Sequence, residues 1–312
     1  MARFLVTGGC GFIGSHLVCA LLARKDEVRV LDDLSTGRRE NIPLDCDVIV
    51  GDVADYETVR DAVQGVDGCF HLAAIASVER SRLDWIGAHR INLGGMVNLL
   101  DCVRPEKLSR QIPVIYASSA SIYGDNPAIP LAEDATPRPL SAYGADKLSC
   151  ELQAQVGANV HGIPSVGFRF FNVFGPRQDP SSPYSGVISI FARKLLYGER
   201  VKIFGDGEQV RDFIYVSDIV RLLLAAVKDP PKGAEVFNAC TGQGVTVNYL
   251  CDLLGDILGI EPQTDHLEPR PGDIRQSIGN PLLAGRRFNV SAEHKLRDSL
   301  AETVSWMRNV EN

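Results

Sequence analysis

The sequence predicts an α/β protein: a doubly wound parallel sheet with a smaller C-terminal α/β lobe. Three observations carry that reading. Short apolar runs alternate with stretches long enough for helices. The first run passes directly into a glycine-rich turn and then a helix. A carboxylate, Asp32, closes the second run about twenty residues beyond the last of those glycines.

Residues 4–7 form the first buried strand, and Gly8, Gly11 and Gly14 follow with G-x-x-G-x-x-G spacing. One glycine permits the tight turn, one admits a pyrophosphate, and one lets helix meet strand. Phe12 and Ile13 lie at the helix start, where exposed amides favour an anion. Residues 28–31 form the second strand, and Asp32 at its end is placed to grip a ribose diol. Asp33 adds a second negative charge ahead of the turn Ser35-Thr36-Gly37. A 2′-phosphate is repelled there, which favours NAD over NADP, although Arg38 and Arg39 stand close enough to reach an added phosphate. The sheet is therefore Rossmann-like.

Further strand runs recur at residues 47–51, 68–72, 114–117 and 165–170. Helices are expected over 14–23, 56–63, 86–102 and 142–160, the last two long enough to pack across a subunit interface. Composition changes at Asn172-Val173-Phe174-Gly175-Pro176-Arg177, after which Pro, Ser and Gly crowd residues 179–186 as a hinge. The expected division is a dinucleotide-binding domain over 1–170, with a returning segment near 213–240, and a second lobe over 171–312. The loop 268–273 carries Arg270 and Asp273, more than a linker needs.

With 312 residues, 45% of them hydrophobic, the chain can bury one large core and a smaller lobe. A net charge of −7 argues against a nucleic-acid surface. No apolar stretch reaches the length of a membrane span, and a strand begins within three residues of the start, leaving no room for a signal peptide. A cytoplasmic protein is expected. The eight cysteines are scattered among apolar residues with no C-x-x-C pair, which fits buried free thiols and no metal.

Tyr143 and Lys147 are four residues apart at a helix start, hence on one face. An ammonium beside a phenol favours the phenolate, the form that removes a proton. Upstream, residues 114–117 form a strand that ends in Ser118-Ser119-Ala120-Ser121-Ile122-Tyr123-Gly124. Small hydroxyls thus stand at the carboxyl end of a sheet strand, where ligands bind in such folds and a proton can be relayed.

These motifs resemble the extended short-chain dehydrogenase/reductase family, and within it the nucleotide-sugar 4-epimerases of the UDP-glucose 4-epimerase type. The likeness spans TGGCGFIGSHL (7–17), LDDLSTG (31–37), GDVAD (51–55), HLAA (71–74), SSASIYG (118–124), YGADK (143–147), RFFNVFGPRQDP (169–180), GDGEQVRDFIYVSD (205–218) and RPGD (270–273). It implies Ser119 as catalytic hydroxyl, Tyr143 as base and Lys147 on the nicotinamide ribose. Asp52 and Val53 would border adenosine, and Leu72, Ala73 and Ala74 would line the cofactor. For a UDP-sugar it implies Ser119, Ser121 and Tyr143 at the sugar, Asn172 and Arg211 at the diphosphate or its ribose, and Arg270 on phosphate. Asp273 would meet the uridine ribose, and Lys202, Ile203 and Phe204 would wall the uracil. It also implies a homodimer joined through a four-helix interface.

The same scaffold hosts several reactions. Dehydratases resembling this chain follow the catalytic hydroxyl with Asp-Glu; here Ala120 and Ser121 follow Ser119. Decarboxylases tend to carry a glutamate in that stretch, and this chain has none there. Epimerisation needs only reversible hydride transfer at C4. Uronate-specific epimerases carry an arginine after FGPRQ, where this chain has Asp179, whose charge disfavours a uronate. The position that limits the sugar pocket aligns with Ser277, small enough to admit an N-acetyl group. The expectation is interconversion of UDP-glucose/UDP-galactose and of UDP-GlcNAc/UDP-GalNAc. A related NAD-dependent sugar-nucleotide dehydrogenase or reductase, a uronate epimerase and, more distantly, a non-catalytic nucleotide-sensing scaffold remain the alternatives.

Overall fold

The computed structural model describes residues 1–180, 186–269 and 272–311. Strand β1 (Arg3–Thr7) leads into α1 (Phe12–Ala23), followed by β2 (Glu27–Asp32), β3 (Asp47–Val50), α2 (Tyr56–Ala62) and β4 (Gly68–His71). After α3 (Val78–Leu83) comes one helical rod: α4 (Trp85–His89), a π-helical segment over Arg90–Gly94, and α5 (Gly95–Cys102). A short α6 (Pro105–Leu108) precedes β5 (Val114–Ser119), and α7 (Ala142–His161) returns the chain to β6 (Ser165–Phe170).

The remaining elements are β7 (Asn172–Phe174), α8 (Val187–Leu196), β8 (Val201–Phe204), β9 (Val210–Tyr215), α9 (Val216–Lys228) and β10 (Ala234–Ala239). They continue with β11 (Gly244–Thr246), α10 (Val247–Leu258), β12 (Thr264–Leu267), β13 (Gln276–Ser277), α11 (Leu282–Phe288) and α12 (Leu296–Glu311).

Seven parallel strands form the main sheet in the order β10-β6-β5-β4-β1-β2-β3. Period-two alternation sends side chains to opposite faces, so Phe4, Val6, Val28 and Val30 enter one core with α1 and α9. Leu5, Leu31, Val114 and Tyr116 enter the other, with α2, α5 and α7. The strand order reverses at β1, between β2 and β4, and ligands bind at the carboxyl ends beside such a switch point.

Residues 213–215 do not return to this sheet. They belong to β9, which pairs β7, β11 and β13 in a small second sheet, while β10 closes the edge of the main one. The hydrophobic signal at 213–216 is real, since Phe213, Tyr215 and Val216 fill the core beneath the small sheet. The helical rod over 85–102 holds a π segment where an unbroken α-helix was expected, and π turns let one side chain point out of register.

Candidate active site

The glycine turn is shaped by close backbone approach. Gly8 has φ +69°, and a Cβ there would stand 2.7 Å from the Ala73 nitrogen, so the loop after β4 lies directly on the turn. A Cβ on Gly14 would stand 2.1 Å from the Gly8 carbonyl oxygen, whereas one on Gly11 meets only that oxygen, at 3.2 Å. Gly11 caps α1, and among the described residues no side chain caps its first turn. The cradle of Gly8, Gly11, Phe12, Ile13 and Gly14 therefore offers free helix-start amides in a space kept open by absent side chains, which fits a pyrophosphate.

Asp32 is tied into the same cradle. Its carboxylate accepts from Cys10 N and Leu34 N, both at 2.9 Å, and burial pushes the group above the usual carboxylate range while those bonds oppose the shift. Leu34 holds φ +56°, a left-handed conformation stabilised by the Asp32 bond. Asp33 shapes the turn by accepting from Ser35 N and Oγ, and a Cβ on Gly37 would stand 2.8 Å from Asp32 Oδ1. Thr36 is exposed beside it.

The two arginines that could meet a 2′-phosphate are engaged elsewhere. Arg38 donates to Asp179 at 3.4 Å, and Arg39 donates to the carbonyls of Ile42, Pro43 and Leu44.

Of the adenosine pair, Asp52 accepts from Arg90 at 2.6 Å and Val53 is buried. After β4, Leu72 N donates to the Thr7 carbonyl and Ala73 N to Thr7 Oγ1, which also bonds His71 Nδ1 at 2.9 Å. Leu72, Ala73 and Ala74 are half-buried along this loop.

Two features of the structure around the site were missed from sequence. Asn92, in the π segment, clamps Ile75 by accepting from its N and donating to its carbonyl. The only hint was an asparagine set among apolar residues in Ile91-Asn92-Leu93. His71, fully buried, is held to about 3 by burial and by the charge of Lys147, so it stays neutral beside the site.

Ser141 caps α7 by accepting from Gly144 N at 3.1 Å. A Cβ on Gly144 would stand 2.7 Å from the Ser121 carbonyl, so the first turn of α7 lies on the segment after β5. Tyr143 and Lys147 are nearly buried, at 9% and 3% exposure, and Lys147 Nζ lies 5.8 Å from the Tyr143 ring centroid. Lys147 Nζ donates to the Ala117 carbonyl at 2.9 Å. Ser119 and Ser121 share a hydroxyl bond of 2.9 Å. The three predicted catalytic residues thus converge at the carboxyl end of β5.

Asn172 begins β7 two residues beyond the end of β6, whose Phe170 pairs with Ser119. Arg211 and Ser277 are register partners in β9 and β13, and Arg211 Nη2 donates to Asp273 at 2.7 Å. Burial of Arg211 pulls its guanidinium below the usual range. Along β8 the alternation buries Ile203 in the small-lobe core, leaving Lys202 and Phe204 on the other face. Arg270 lies outside the described residues. Asp179 Oδ2 lies 3.4 Å from Arg38 Nη2 on the cofactor-side loop.

A dinucleotide cradle with a Ser-Tyr-Lys cluster at the adjacent strand end defines an NAD-dependent oxidoreductase-type enzyme. Residues 4–240 match the model of the NAD dependent epimerase/dehydratase family. The chain belongs to that family, and NAD is its cofactor.

Solved relatives are similar over nearly the whole length. UDP-glucose 4-epimerase of Thermotoga maritima, solved with UDP-glucose, is 36% identical, with TM-score 0.94 and coverage of 99% of this chain and 100% of that one. UDP-N-acetylglucosamine 4-epimerase of Methanobrevibacter ruminantium, in complex with UDP-N-acetylmuramic acid, is 35% identical, with TM-score 0.93 and coverage of 99% of both chains. UDP-glucose 4-epimerase of Thermus thermophilus, in complex with NAD, is 36% identical, with TM-score 0.90 and coverage of 98% of this chain and 99% of that one.

Proposed function

We propose that the chain interconverts UDP-glucose with UDP-galactose, and UDP-GlcNAc with UDP-GalNAc, by transient oxidation at C4. The observation that carries the reading is the convergence of Ser119, Tyr143 and Lys147 at the end of β5, followed by Ala120 and Ser121 rather than carboxylates. Elimination of water lacks its acid and base there. When bound, NAD supplies a reversible hydride acceptor for C4.

Tyr143 takes the proton of the 4-hydroxyl and later returns it, while Ser119 holds the same oxygen. Lys147, fixed by the Ala117 carbonyl, keeps further N–H donors for a ribose and places positive charge beside the phenol. Arg211 and Asn172 hold the diphosphate end, with Asp273 beside Arg211 for the uridine ribose, and Lys202 and Phe204 flank the base. With the nucleotide anchored by these residues, the 4-keto sugar would be free to rotate and present its other face to the returning hydride. Ser277, half-buried beside Arg211, carries a small side chain, and the N-acetyl part of the proposal rests on that size. Tyr143→Phe is expected to abolish epimer formation while leaving bound NAD in place; undiminished turnover contradicts the assignment.

A homodimer is part of the proposal. Ile86 and Val97 on the α4–α5 rod, and Leu152, Val156 and Val160 on α7, expose apolar side chains that a second copy would cover. Light scattering that shows only monomer contradicts it. Among the described residues no helix is long and apolar enough to cross a membrane, and all eight cysteines are free thiols, in keeping with a reducing cytoplasm.

A further inference from the structure

Tyr143, Lys147 and Glu151 recur every four residues along α7 and form one stripe facing β5. Lys147 donates to the Ala117 carbonyl at 2.9 Å, and Glu151 Oε1 accepts from the hydroxyl of Ser118, the next residue. Glu151 is also gripped by Arg169, whose Nε donates to Oε1 at 2.9 Å and Nη2 to Oε2 at 2.7 Å. Arg169 is the register partner of Ser118 on β6, so three elements meet at one buried carboxylate.

The brace extends past Ser119 as well. Arg169 Nη1 donates to the Tyr123 hydroxyl and the Glu133 carbonyl, both at 2.8 Å, and Tyr123 donates to Asn238 at 2.7 Å. Ser119 therefore sits between two anchored neighbours, Ser118 before it and Tyr123 after its short turn. A buried ion pair is a weak source of stability against apolar packing, but it fixes geometry closely.

Resting on the epimerase reading, we propose that Ser118, Glu151 and Arg169 are positioning residues that hold the Ser119 hydroxyl at its working place against Tyr143. They touch neither substrate nor cofactor and act through β5 and α7.

Ser118→Ala is the test, because Glu151 keeps both Arg169 bonds and no buried charge is stranded. Expected is a fall in kcat of about tenfold, with KM for the UDP-sugar and bound NAD changed by less than about twofold. A crystal structure of the variant shows Ser119 displaced. Glu151→Gln lowers kcat further in the protein that remains folded. A folded Ser118→Ala protein with wild-type kcat overturns the proposal, as does a loss in which kcat, KM and bound NAD all change together. If the wild-type protein makes no epimer yet reduces its bound NAD with a UDP-sugar, the epimerase reading fails. The brace is then judged by the rate of that reduction, measured by nicotinamide absorbance in the same variants.

Discussion

Arg211 and Asp273 form an ion pair of 2.7 Å between β9 and the loop before β13, with the arginine side chain only 16% exposed. The guanidinium has been desolvated at a place where the described structure offers it one carboxylate, and a diphosphate is a better match for its remaining donors. Arg211→Ala is expected to raise KM for a UDP-sugar about a hundredfold, about 2.7 kcal/mol, with a much smaller change in kcat. Steady-state kinetics separate the two, and an effect on kcat alone contradicts the placement.

Gly14 and Gly11 should respond differently to a methyl group. On Gly14 the added carbon would press on the Gly8 carbonyl, so Gly14→Ala must open the cradle and is expected to yield protein without NAD. Gly11→Ala places its methyl 3.2 Å from the Gly8 carbonyl oxygen, a tight contact that a backbone shift of a few tenths of an ångström relieves, so the variant is expected to fold. Its NAD content, read from the absorbance of denatured protein, reports the pyrophosphate contact alone.

His71 makes stability pH-dependent. Its imidazole is held to about 3 against an ordinary 6.5, by burial first and by Lys147 second. Between these values the unfolded chain binds a proton that the folded chain refuses, so stability falls as pH drops below about 6.5, by about 1.4 kcal/mol per unit at most. Urea unfolding across that window measures the slope, and His71→Asn should flatten it. An unchanged slope in the variant assigns the pH dependence to other groups.

Ser277→Tyr should close the sugar pocket to N-acetylhexosamines. Turnover of UDP-GlcNAc is expected to fall by at least about a hundredfold, while UDP-glucose is spared within a few fold. Equal effects on both sugars, or none, remove Ser277 from the wall.

Local spacing made much of the site legible. The glycine turn and Asp32 follow one strand-turn-helix, and Tyr143 with Lys147 is an i, i+4 pair, so chain geometry alone brings each set together. Pairings across the fold were not legible. Nothing in residues 213–215 says that they join a small sheet while 234–239, a mixed run with Glu235 and Asn238, close the large one, because only long-range packing decides. The same limit hid the Asn92 clamp on Ile75, 17 residues away, and the grip of Arg169 on Glu151. It also hid the buried Asp212, which accepts from Thr241, Gly242 and Gly279 and so binds β9 to its neighbours beside Arg211.

Incubation of the purified protein with UDP-glucose and with UDP-GlcNAc in separate reactions, without added NAD and followed by NMR, tests the central claim most directly. The predicted result is appearance of the C4 epimer, UDP-galactose or UDP-GalNAc, in each reaction, with no net reduced cofactor. No epimer from either substrate contradicts it.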